Sequence, residues 1–188
     1  MMISHQLDDS VIDLDTFKKT ESFSTKHGDR FDSDIIVSEF LLHVKKQFDK
    51  KKFQEIWLCS EMHNFTLLDT INNSYSDFFS WRYSNSQSAK NKKKIIDNFY
   101  NIEMLTGQTL HSGIPILNIG ESLNKDSTYK ILSLPELIVN KIGISSNKIH
   151  DSMAASMGFL NIKRKEWLKE LLFLTYPQAK FSLPEIFQ

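Results

Sequence analysis

Between Asp32 and Ser60 one hydrophobic period gives way to another, and this switch constrains the fold more than any other feature of the chain. Val37, Phe40, Leu41, Val44 and Phe48 recur at spacings of three and four, the period of one face of an α-helix. Asp32, Ser33 and Asp34 precede them and offer oxygens for a helix N-cap. Lys45, Lys46, Lys50, Lys51 and Lys52 gather toward the far end, where the helix dipole favours cations. The run EIWLCS at 55–60 then carries apolar residues with no helical spacing, as a short buried strand does. Helix followed by buried strand predicts an α/β unit, with Phe40, Leu41, Val44 and Trp57 in one core.

The rest of the chain has the material for such a core. Of 188 residues 40% are hydrophobic, with 14 Phe, 3 Trp and 5 Tyr, far more than a disordered chain carries. Residues 1–30 are polar, with scattered apolar positions, and read as a loosely packed arm or a short strand and helix. Asn64 is placed to cap a helix with Leu68, Ile71, Tyr75 and Phe78 on one face. SNSQSAKNKKK at 84–94 reads as a basic loop, and Ser88 caps a further helix with Ile95, Phe99 and Ile102 inward, ending at Gly107. Gly107, Gly113, Pro115 and Gly120 then punctuate the chain around IPILNI, which Pro115 restricts to an edge strand. The boundary is therefore expected here: an α/β globular domain with a polar N-terminal arm over 1–120, and a helical module over 121–188. The expected fold class is α+β or α/β, with short buried strands packed with several amphipathic helices and a mostly helical C-terminal third.

Charge and cysteine content narrow the setting. Lys plus Arg equals Asp plus Glu at 23 each, which argues against a dedicated non-specific nucleic-acid binder. Cys59 is the single cysteine, so no intrachain disulfide forms. The polar, acidic N-terminus has no signal-peptide pattern, and the apolar runs are too short to span a membrane. A cytoplasmic protein without membrane association is expected.

The segment 134–165, LPELIVNKIGISSNKIHDSMAASMGFLNIKRK, is laid out as helix, tight turn and second helix. Ile138 and Ile142 lie four apart, Gly143 permits the turn, Ile144 plugs the gap, and Ser145 or Ser146 caps a second helix with Ile149, Met153 and Met157 inside. Residues 131–165 hold five bases against two acids. The segment resembles the helix-turn-helix of bacterial regulators over roughly two dozen residues, and GFLNIKRKEW looks like the start of a wing. That resemblance implies base contacts from Asn147, Lys148 and His150 early in the second helix, and phosphate contacts from Lys163, Arg164 and Lys165.

Other constellations point elsewhere or nowhere. His27, Asp29, Asp32 and Asp34 crowd one stretch, but the better reading is a solvated loop whose aspartates cap the next helix. Cys59, Glu61 and His63 follow the predicted strand, where catalytic groups of α/β folds often sit. Cys59 itself is expected to be buried and structural. Arg82 with Lys90, Lys92, Lys93 and Lys94 forms a basic face. GxxxxGK, GxGxxG, HExxH and CxxC do not occur. The leading expectation is a small intracellular regulator that contacts DNA through its C-terminal segment, with no cofactor, metal or assigned catalytic residue. The alternatives are a protein-interaction module (an adaptor, immunity or virulence-associated factor) and an enzyme using the Cys59–His63 region.

Overall fold

The computed structural model describes the backbone of residues 2–7, 11–16, 23–25, 28–48, 57–144 and 146–188. Four strands come first: β1 (Met2–Leu7), β2 (Val11–Thr16), β3 (Phe23–Thr25) and β4 (Gly28–Phe31). The long helix α1 (Ser33–Phe48) precedes β5 (Trp57–Cys59), β6 (Thr66–Asp69), β7 (Ser74–Tyr75) and β8 (Phe78–Phe79). Helices α2 (Ser88–Asn98), α3 (Ile102–Thr106) and α4 (Pro115–Asn118) form the middle of the chain. The C-terminal third runs β9 (Thr128–Leu132), α5 (Leu134–Lys141), β10 (Lys148–His150), α6 (Asp151–Ser156), β11 (Leu160–Asn161), β12 (Glu166–Trp167), α7 (Lys169–Thr175), β13 (Lys180–Phe181) and β14 (Glu185–Phe187). The fold class is mixed α and β, with short strands packed against amphipathic helices, as the alternation of hydrophobic periods predicts.

α1 forms where its stripe and cap place it. Asp32 Oδ1 accepts the backbone N–H groups of Asp34 and Ile35 at 2.8 and 3.0 Å, so two otherwise unpaired donors are satisfied. Ile36, Val37 and Phe40 are buried with Phe31, Phe78 and the α5 residues Leu134, Leu137 and Ile138, and Val44 and Leu58 pack against this cluster. Leu41 departs from the expected stripe and is 41% exposed. Each residue turns the helix by about 100°. Burial of Ile36 and Val37 moves the inner face round and leaves Leu41 outside it. The side chains of Trp57 and Cys59, and of His27 and Asp29, lie outside the described residues.

Two expected elements are replaced by others. The helix drawn through Leu68, Ile71, Tyr75 and Phe78 is instead the β6–β7 hairpin followed by β8. Asp69 Oδ1 accepts the N–H groups of Ile71 and Asn72, and Asn73 takes a φ of 49°, so a local side-chain turn outcompetes the helix. The IPILNI edge strand is instead α4 and a 3-10 turn, with Pro115 at the first helical turn, where its missing N–H and fixed φ do no harm. Much of the basic loop at 84–94 lies in α2, whose Ser88, Asn91 and Ile95 face inward.

The largest sheet has the order β13-β9-β6-β7. Around it lies one core joining Phe65, Leu67, Ile95, Leu110, Ile114 and Ile116 to Tyr129, Ile131, Phe159, Leu171 and Tyr176. Residues from both sides of position 120 thus pack together.

The second helix of the supposed helix-turn-helix does not form at its expected place. α5 ends at Lys141 and Gly143 turns the chain at a φ of 85°. Lys148, Ile149 and His150 then make strand β10, paired in parallel with β14 in the register Lys148↔Glu185 and Ile149↔Ile186. These residues find their backbone partners in a distant segment, so helical i→i−4 bonds are not needed there. Only residues 151–156 are helical.

Candidate functional site

The six residues assigned to DNA lie on a strand, a turn and loops. Asn147 is exposed, and its backbone carbonyl accepts the Glu185 N–H at 2.7 Å. Lys148 and His150 are exposed on β10 on either side of fully buried Ile149. The His150 imidazole accepts the Ser152 N–H at 3.3 Å as the cap of α6 and meets the Phe187 ring edge-on at 5.4 Å. Lys163 and Arg164 donate their backbone N–H groups to Asn161 Oδ1, both at 3.1 Å. Lys165, at a φ of 58°, pairs with Asp151, and that contact, chiefly the hydrogen bond, lowers the Asp151 carboxyl pKa. No helix presents Asn147, Lys148 and His150 together.

A more constrained cluster stands at the end of β5. Asn64 is fully buried and works in three directions. Its amide donates to Ser60 Oγ at 3.4 Å and to the Glu61 carbonyl, and its Oδ1 accepts the Leu134 N–H at 2.9 Å. The turn 60–64 is thereby tied to the start of α5. His63, next in line, sits at a φ of 57°, a left-handed conformation that non-glycine residues seldom adopt. Its Nδ1–H donates to the Ser156 carbonyl at 2.7 Å, which fixes which ring nitrogen carries the proton.

Phe65 and Phe79 exchange backbone hydrogen bonds at 3.0 and 2.8 Å as an antiparallel bridge. His63 lies two residues before that bridge and Trp81 two after it, so both emerge from the same end. The indole of Trp81 is 49% exposed, and Met62 is similarly open. His111 completes the cluster from the loop before α4, with its ring edge-on to His63 at 4.7 Å and 82°. A Cβ built at Gly113 would collide with the Trp81 carbonyl oxygen, so this glycine permits the 111–113 loop to close against Trp81. Burial lowers the His111 pKa below its ordinary 6.5, and the charges of His63 and Lys92 lower it further. His111 is therefore held neutral at physiological pH, able to donate from one nitrogen and accept at the other.

Among the described residues no group of three or more His, Cys, Asp or Glu side chains converges on a metal position. The expected capping role of the aspartates near α1 is seen at Asp32, while Asp34 pairs with Lys141. No helix among the described residues is long and apolar enough to cross a membrane.

No family model matches this chain, and no curated protein matches it by sequence. Its fold does have solved counterparts. The gluconate kinase from Lactobacillus acidophilus superposes over 95% of this chain and 37% of its own, with a TM-score of 0.70 and 20% identity. The ligand-bound xylulose kinase from the same organism covers 95% of this chain and 37% of its own, with a TM-score of 0.68 and 19% identity. A xyloylose kinase from Brucella ovis covers 89% and 36%, with a TM-score of 0.63 and 18% identity. This is a sugar-kinase-like fold. The chain spans little more than a third of the length of the kinases it matches.

That likeness overturns the DNA-binding regulatory expectation. The counterparts superpose across nearly the whole chain and are sugar kinases, and the segment resembling a helix-turn-helix is a helix, a strand and a six-residue helix within their fold. Of the side chains in the His63–His111 cluster, His63 is the one the motif CSEMH marks in the sequence, and Arg82 beside Trp81 belongs to the basic face. Neither His111 nor Trp81 belongs to a motif that marks it in the sequence. The signal available for them was Gly113, which marks a close backbone approach as well as a turn.

Proposed function

We propose that this chain forms the sugar-binding part of a cytoplasmic sugar-kinase-type protein, and that Met62, His63, Trp81 and His111 form the surface that takes a sugar or sugar acid. The observation that carries this is His63, held in a left-handed conformation with its ring locked on Ser156 and set against His111. A non-glycine residue kept at such a φ by its surroundings is a frequent mark of a functional site. The chemistry of the cluster fits the ligand class. A sugar offers hydroxyl groups that both donate and accept, matching a neutral imidazole, and C–H faces that pack on an aromatic plane such as the exposed indole of Trp81. The proteins this fold is similar to include a gluconate kinase and a xylulose kinase. Phosphoryl transfer would draw on a phosphate-holding surface supplied by the remainder of such an enzyme.

Titration of the chain with gluconate and with xylulose, followed by calorimetry and by tryptophan fluorescence, tests this. Saturable binding of one of them is expected. His63→Ala and Trp81→Ala should each weaken it by ~10-fold or more, the effect of losing one hydrogen bond or one stacking contact. Absence of binding, or undiminished binding in both variants, would remove the proposal.

A further inference from the structure

Helix α2 borders the His63–His111 cluster and brings a cation to it. Ser88, in its first turn, donates its hydroxyl to the Ser112 carbonyl at 3.1 Å, and that carbonyl also accepts the Asn118 amide at 2.6 Å. The loop that carries His111 is thereby fastened to α2. Lys92 lies four residues after Ser88 and so stands one turn further along the same face. It is half-buried there, whereas Lys90 and Lys93 are exposed. After burial, the charges that lower the His111 pKa are those of His63 and Lys92, both positive, and Glu61 in the adjoining turn is not among them. Arg82 adds a guanidinium over the Trp81 ring, 6.0 Å from its centroid. Among the described residues no carboxylate pairs with Lys92, while Lys141 and Lys165 are each paired with an aspartate.

A half-buried ammonium has lost part of its hydration and here gains no counter-ion from the chain. A site lined by one sign of charge draws ligands of the other. We propose that the ligand of this site is a sugar acid, and that Lys92 selects it by pairing with the carboxylate while the hydroxyl-bearing carbons lie along His63, His111 and Trp81. The inference rests on the sugar-binding reading of the cluster and narrows it. A neutral sugar offers the ammonium only hydroxyl oxygens. A carboxylate offers a hydrogen bond charged on both sides, which is roughly twice as strong as a neutral one. The long, flexible stem of lysine lets the ammonium follow the anion over the His111 ring.

Calorimetric titration with gluconate and with glucitol, the polyol in which a CH2OH group replaces the carboxylate, separates the charge from the carbon skeleton. Gluconate should bind at least ~10-fold more tightly than glucitol at low salt, and the ratio should shrink as salt is raised. Lys92→Gln should bring the ratio to within about threefold. Lys92→Arg should preserve the preference. Lys93→Gln, which removes the same charge from an exposed position on α2, should preserve it too. Melting curves establish that each variant is folded. Equal affinity for the two ligands, or tighter binding of glucitol, would overturn the inference and leave the sugar-binding reading standing. A gluconate preference that Lys92→Gln leaves intact, or that Lys93→Gln abolishes to the same extent, would also overturn it. Binding of neither ligand nor of xylulose would remove both readings together.

Discussion

His63 shows how a single residue is held against its own preference. A left-handed φ in an L-residue is unfavourable by roughly 1–2 kcal/mol, and here the buried Asn64 network on one side and the Ser156 carbonyl on the other over-determine the turn. Its neighbour His111 makes a pH signature. Because burial lowers the His111 pKa, the unfolded chain takes up a proton near 6.5 that the folded chain resists. Stability contributed by His111 is therefore complete above 6.5, falls as the pH drops through it, and levels off below the folded-state value. Urea unfolding of the wild type and of His111→Gln across this range should show a shallower pH slope in the variant. Equal slopes would mean that His111 titrates as freely in the folded protein as in the unfolded one.

The elements follow from local competition. α1 is specified by its cap and its stripe, but a stripe read from sequence is broad enough to admit Leu41. Phe40→Ala should cost about 3–5 kcal/mol, the usual range for emptying a buried aromatic site, whereas Leu41→Ala should cost less than about 1 kcal/mol as a surface change. Thermal or urea melts that reverse this order would place Leu41 inside. The β6–β7 hairpin shows the opposite outcome, where a periodic apolar pattern was misleading. The Asp69 carboxylate accepts from Ser127, Asn72 and Ile71, and these bonds, Ser127 foremost, hold its pKa at about 2. A short polar cap redirected a segment whose hydrophobic spacing suited a helix.

At the scale of the molecule, Tyr176 ties distant segments together. Its hydroxyl donates to the Ile116 carbonyl at 2.8 Å and accepts from the Asn91 amide at 3.2 Å, joining the end of α7 to α4 and α2. Burial raises its phenol pKa strongly, so it stays protonated. Gly120 leaves the ring its place, since a Cβ there would come within 2.6 Å of the Tyr176 ring. Tyr176→Phe removes one donor and one acceptor from a buried site and should cost about 1–3 kcal/mol. A melting temperature equal to the wild type would show that solvent or relaxation satisfies those partners.

The sequence by itself determined what depends on neighbours a few residues apart. The mixed fold class, helix α1 with its Asp32 cap and the start of a helix at Ser88 were legible from spacing and from short polar side chains, although that second helix breaks after Asn98 and resumes at Ile102. Tertiary structure decided whatever depends on partners far along the chain. Lys148–His150 became a strand because residues 185–187 supply its hydrogen bonds, a pairing that no window of local sequence contains. His63, Trp81 and His111 became neighbours because the Phe65–Phe79 bridge and the close approach at Gly113 bring three separate loops to one end of the fold. Local chemistry chooses each element, but only the burial of the shared core chooses which elements meet.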